Sequence, residues 1–64
     1  MDRETETRRI EQFVEQGNFH AAYNIALSAL NDRRKHEDQP GVDHFIGVIR
    51  RIVDQLAEVF GSPN

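Results

Sequence analysis

The chain has 64 residues, no cysteine and a formal net charge of −3, from 8 basic and 11 acidic residues. That length makes one small domain, at the margin where burial offsets chain entropy, and the missing cysteines exclude disulfides and thiolate metal sites. The acidic balance gives no global attraction for nucleic acid or an anionic membrane, and no apolar run approaches the roughly 20 residues that span a bilayer.

The opening stretch Met1-Asp2-Arg3-Glu4-Thr5-Glu6 is charged and lacks the apolar centre of a signal peptide. The expectation is a soluble, cytoplasmic protein without a membrane partner. Apolar residues recur at helical spacing, which argues for a folded chain. Three helices and two short turns account for the pattern: an all-α three-helix bundle, in which an antiparallel helical hairpin is followed by a long C-terminal amphipathic helix. One domain spans 1–64, with flexible ends at 1–3 and 61–64.

The first helix is expected over about 4–16. Its apolar positions are Ile10, Phe13 and Val14, a narrow stripe late in the segment. The polar start predicts fraying first turns. Asp2, Glu4 and Glu6 lie where the helix dipole favours negative charge. Gly17-Asn18 then breaks the pattern. Glycine can adopt the left-handed conformation that closes a helix, and Asn18 can cap the next one through its side-chain oxygen.

The second helix is expected over 19–36. Phe19, Ala22, Tyr23, Ala26, Leu27 and Leu30 form one stripe, and Ala21, Ile25 and Ala29 form a second, smaller face. Its end is basic, with Arg33, Arg34, Lys35 and His36, as the dipole favours. The second break is His36-Glu37-Asp38-Gln39-Pro40-Gly41. Asp38 or Gln39 caps the third helix, which begins at Pro40 or Gly41 and runs over 41–60. Gly61 and Pro63 mark its stop.

The third helix carries the widest apolar face. Val42, Phe45, Ile49, Ile52, Leu56 and Val59 keep heptad spacing, and Ile46, Val53 and Phe60 widen the seam. These nine residues are the expected interface. Two causes of the width stay open: burial on both sides within the monomer, or a second copy of the chain. The short stripe of the first helix favours the second cause, and symmetric dimers are the commonest oligomers.

The stretch Glu15-Gln16-Gly17-Asn18-Phe19-His20-Ala21-Ala22-Tyr23-Asn24-Ile25-Ala26-Leu27-Ser28-Ala29-Leu30 resembles the turn and second helix of a tetratricopeptide repeat. Gly17 matches the family's turn glycine, Phe19 its aromatic residue, Ala22 and Ala29 its small packing positions, and Phe13 its bulky residue near the end of the first helix. The likeness covers one hairpin, residues 5–34, and departs from the pattern at several positions. Glu6 stands where the family has a large residue, Ile10 where it has a small one, Ala26 where it has an aromatic, and Arg34 near its terminal proline. A single unit is not an array, which needs three or more. The resemblance implies a protein-binding module with no catalytic residues.

Reactive chemistry has little to work with. Ser28 lies two helical turns from His20, beyond hydrogen-bond reach, and Ser62 lies in the tail. His20, His36 and His44 share no metal-ligand spacing. The carboxylate pairs Glu11/Glu15 and Asp54/Glu58 read as solvated faces rather than acid–base sites. Phe13, Phe19, Tyr23, Phe45 and Phe60 read as core. No catalytic, metal or cofactor site is expected.

The favoured function is a non-catalytic interaction or regulatory protein that acts through apolar helix faces as a homodimer, with a further protein partner. The alternative is a nucleic-acid-associated regulator. It would use Arg33, Arg34, Lys35, Arg50 and Arg51, doubled by dimer symmetry, as phosphate contacts. Interleaved acids and the lack of aromatic residues among these arginines count against it. At the first turn, Gly17→Val is expected to lower the melting temperature, because a β-branched residue resists the left-handed conformation. An unchanged melting curve would remove the tight-turn assignment.

Overall fold

A computed structural model describes residues 3–61. The remaining residues, Met1, Asp2, Ser62, Pro63 and Asn64, lie outside the described residues. With them go most of the expected flexible ends, the placement of Asp2 and Ser62 and the closing proline. The described chain is three α-helices in sequence: α1 (Arg3–Glu15), α2 (Phe19–Lys35) and α3 (Gln39–Phe60). Among the described residues no helix is long and apolar enough to cross a membrane.

Both turns have one construction. At the first, Gly17 N–H donates to Val14 C=O (2.9 Å) and Asn18 N–H to Phe13 C=O (2.8 Å). This is a Schellman closure with Gly17 left-handed at φ 80°. Asn18 then caps α2 by accepting from Ala21 N–H. At the second, Glu37 N–H donates to Arg34 C=O (3.1 Å) and Asp38 N–H to Arg33 C=O (2.9 Å). Asp38 caps α3 by accepting from Gly41 N–H (3.1 Å), which settles the choice between Asp38 and Gln39. Pro40 falls in the first turn of α3, where its missing N–H costs nothing. The left-handed position here is Glu37, at φ 54°, where a side chain is strained.

α2 is the central helix. Its alanines Ala22, Ala26 and Ala29 are buried, spaced to form one ridge. Ile10 of α1 and Phe45, Val48 and Ile52 of α3 complete the core. α1 and α3 run parallel to each other and antiparallel to α2, and they touch each other only sparsely. The result is a thin slab, 38 × 23 × 14 Å between Cα extremes.

The start of α1, where the sequence predicts fraying, carries two polar ties. Arg33 Nη2 donates to Glu6 Oε1 at 3.0 Å, with both side chains about four-fifths buried. Thr7 bonds His44 of α3 at 2.8 Å. The sum of residue numbers that sets Glu6 against Arg33 also sets Ile10 against Ala29 and Phe13 against Ala26. Thus one antiparallel register carries both the ion pair and the apolar stripe.

Three substitutions test the backbone at this level. Glu37→Gly relieves the left-handed strain and is expected to stabilise by about 1 kcal/mol. Gly47→Ala, where an added methyl meets open space, gains about the same from helix propensity. Gly41→Ala has the opposite sign, because its methyl would collide with the Asp38 carboxylate and press on Arg33. Loss of that cap costs about 1 kcal/mol or more. Urea unfolding of the three variants reads the signs directly.

Candidate interaction surface

The expected seam on α3 divides into two sides. Phe45 and Ile52 are buried in the monomer's own core, together with Val48. Val42, Ile49 and Leu56 are half-buried, and Ile46, Val53, Val59 and Phe60 are exposed. Burial within the monomer therefore accounts for one side of the seam only. One side of α3 packs on α2 and α1, and the other side remains open.

The open side continues onto α2. Tyr23 and Leu27 are exposed, although they belong to the stripe that the sequence assigned to packing. The ridge of buried alanines turns α2 so that Tyr23 lines the groove between α2 and α3. Near the first turn this groove deepens into a cleft of about 490 Å³, lined by Phe19, Tyr23, Val53, Leu56 and Phe60 among others. Phe60 is 77% exposed and Val59 63%, since the last turn of α3 runs past the start of α2.

The opposite groove, between α1 and α3, is more polar. Ile10, Val14, Val48 and Ile52 form its floor, with Glu11, Glu15, Arg51 and Gln55 on the rim. Arg51 therefore stands beside two carboxylates. Arg34 lies at the second turn with Glu37, Gln39 and Val42. Arg33 is held by Glu6, with Asp38 3.9 Å from its other nitrogen. Arg50 and Lys35 are exposed. The five basic candidates are thus not gathered on one face, and Arg33 is committed within the fold.

At the α1–α3 contact, the Thr7 hydroxyl donates to Arg3 C=O at 2.7 Å. Its single proton is then used, so His44 Nε2 carries the hydrogen and donates to Thr7 Oγ1. The His44 ring also meets Phe45 edge to face, with centroids 4.9 Å apart. Burial, then the positive charges of Arg3 and Arg51, hold the imidazole below its usual pKa of 6.5. Among the described residues no group of three metal-ligating side chains converges.

The ion pair of Glu6 was missed from sequence, although a signal was present. Glu6 falls four residues before Ile10 and seven before Phe13, on the buried face of α1. A carboxylate there needs a cation, and the hairpin register supplies Arg33. Compared with known proteins, the chain matches no family model, no curated protein and no solved structure.

The lowered pKa of His44 gives a stability trend with pH. The unfolded chain takes the proton more readily than the folded one. The contribution of neutral His44 is therefore complete above about pH 6.5 and is lost as pH falls through and below that value. The groups around the ring are Arg3, Glu4, Arg8 and Glu11 of α1 and Arg51 of α3. His44→Gln keeps a donor to Thr7 and removes the titration. It is expected to flatten the fall in urea stability between pH 7 and pH 5.5. An equal fall in both proteins would refute the assignment.

Proposed function

We propose that this protein is a small, non-catalytic interaction module, regulatory in role, whose working surface is the apolar face shared by α2 and α3. The observation that carries this reading is the open side of α3: Ile46, Val53 and Phe60 stay exposed beside Tyr23 and Leu27, although the same helix already contributes Phe45, Val48 and Ile52 to the core. Leaving large apolar side chains in water forgoes about 1.5–3 kcal/mol each, and a folded chain gains nothing from that unless a partner covers them. Self-association into a homodimer and capture of a further protein are the two uses of such a face, and a cytoplasmic setting suits both.

The tetratricopeptide-like reading of the hairpin rests on Phe13, Gly17, Phe19, Ala22 and Ala29 alone. In that reading α3 stands where the first helix of a following unit would stand, parallel to α1 and packed on α2. It would make the protein a binding module of one and a half units. The nucleic-acid alternative has less support, because Arg33 is engaged by Glu6 and the other basic residues are dispersed.

Photo-crosslinking tests the reading. A benzophenone amino acid placed at Val53 in cells that make the protein should give discrete crosslinked polypeptides. They should disappear when Phe60 is changed to Asp, a substitution at an exposed position that leaves the fold intact. Absence of any polypeptide adduct from position 53 would defeat the proposal.

A further inference from the structure

We infer that the open face of α3 is a two-fold interface on which a second copy of the chain lies antiparallel, with Val53 on the axis. This rests on the proposed reading of the α2–α3 face as the working surface, and it specifies the occupant. The spacing carries the first argument. Ile46, Ile49, Val53, Leu56 and Phe60 follow one another at intervals of three and four residues, the seam of a coiled-coil pair. Ile46 and Phe60 stand equally far from Val53. An antiparallel copy centred there sets each Ile46 against the other copy's Phe60, so a small end meets a large end.

Area carries the second argument. Ile46, Val53 and Phe60 are 42%, 49% and 77% exposed, and on α2 Tyr23 and Leu27 are 39% and 37% exposed. Together they offer on the order of 500 Å² of apolar surface, so a symmetric pair buries about 1,000 Å² in total, the threshold for a specific interface. A thin slab gains most from such a contact, since two copies face to face make a second layer.

Charge carries the third argument and decides the direction. Arg50 and Asp54 lie one turn apart on the solvent flank of the seam, and both are exposed. A parallel copy would set the two Arg50–Asp54 flanks on opposite sides of the seam, without a charge partner across it, and would bring the like ends of two helix dipoles together. The antiparallel copy brings Arg50 to the other copy's Asp54, twice by symmetry. The same rotation opposes the dipoles.

The absence of cysteine makes the geometry testable by single introduced thiols. Light scattering behind a sizing column should give a dimer for the natural sequence at roughly 100 µM. Under mild oxidation V53C should link to itself. I46C and F60C should link poorly alone but readily when mixed, since a disulfide requires Cα atoms within about 7 Å. R50D should weaken the dimer roughly five-fold, and R50D combined with D54R should restore it. Far-UV circular dichroism confirms that each variant is folded. A dimer in which I46C and F60C each link to themselves would overturn the antiparallel arrangement while leaving the working surface intact. A monomer would overturn the second copy as occupant. The surface reading would then be decided separately, by whether position 53 crosslinks to a different polypeptide in cells.

Discussion

Three alanines on α2 set the distance at which everything else in this protein packs. Ala22, Ala26 and Ala29 present one methyl group each to the centre, so the backbones on both sides approach closely. With so little volume at the centre, the bulk of the core comes from outside it. Ile10 enters from α1, and Phe45, Val48 and Ile52 enter from α3. Overpacking a site of this kind typically costs 1–3 kcal/mol, because neither neighbour has room to retreat without leaving the ridge. The ridge also has an outward effect. Since α2 turns its small residues inward, its larger ones, Tyr23 and Leu27, stay exposed, with Tyr23 at the groove beside α3. The core and the exposed patch are two sides of one rotation of α2.

The helix ends are held by local chemistry that repeats along the chain. Each turn closes one helix with a left-handed residue and opens the next with a side-chain cap. The first does so with Gly17 and Asn18, the second with Glu37 and Asp38. The second turn lacks glycine at the strained position, but its neighbourhood compensates. Asp38 caps α3, Gly41 lets α3 start close to α2, and Arg33 reaches from α2 to Glu6 on α1. A single guanidinium thereby links the end of one helix to the beginning of another, at the point where α1 has few apolar residues to hold it.

Much of this architecture was legible in the sequence. Helix number, order and approximate bounds followed from apolar periodicity and from the Gly-Asn and Asp-Gln-Pro-Gly breaks, which are strong local signals. The split of the α3 face was not legible. Periodicity shows that Phe45, Ile52, Val53 and Phe60 share a broad stripe, but only the rotation of α3 on the alanine ridge decides that the first two turn inward. The fate of Tyr23 has the same cause. In the sequence Glu6 reads as a charge favoured by the dipole of the first helix and Arg33 as a dipole charge and candidate phosphate contact; their pairing depends on register across 27 residues. Similarly, the basic residues form a stripe in sequence only if dimer symmetry doubles them; the fold engages Arg33 with Glu6 and sets Arg51 on the rim of the α1–α3 groove.

The sequential packing of the helices also bears on how the chain assembles. Each helix rests on its neighbour in sequence through a tight turn, and α1 and α3 share little surface. Contacts between sequence neighbours close small loops, so the conformational search is short and folding belongs to the fast, low-contact-order regime of microseconds to milliseconds. The α2–α3 hairpin, with the larger shared surface, forms the more persistent unit. α1 buries only Ile10 fully, with Phe13 and Val14 packed beside it and two polar ties at its start, which makes it the segment expected to open first in the native state. Its amide hydrogens would exchange ahead of those in the other two helices, a kinetic record of which part of the slab is a lid and which is the frame.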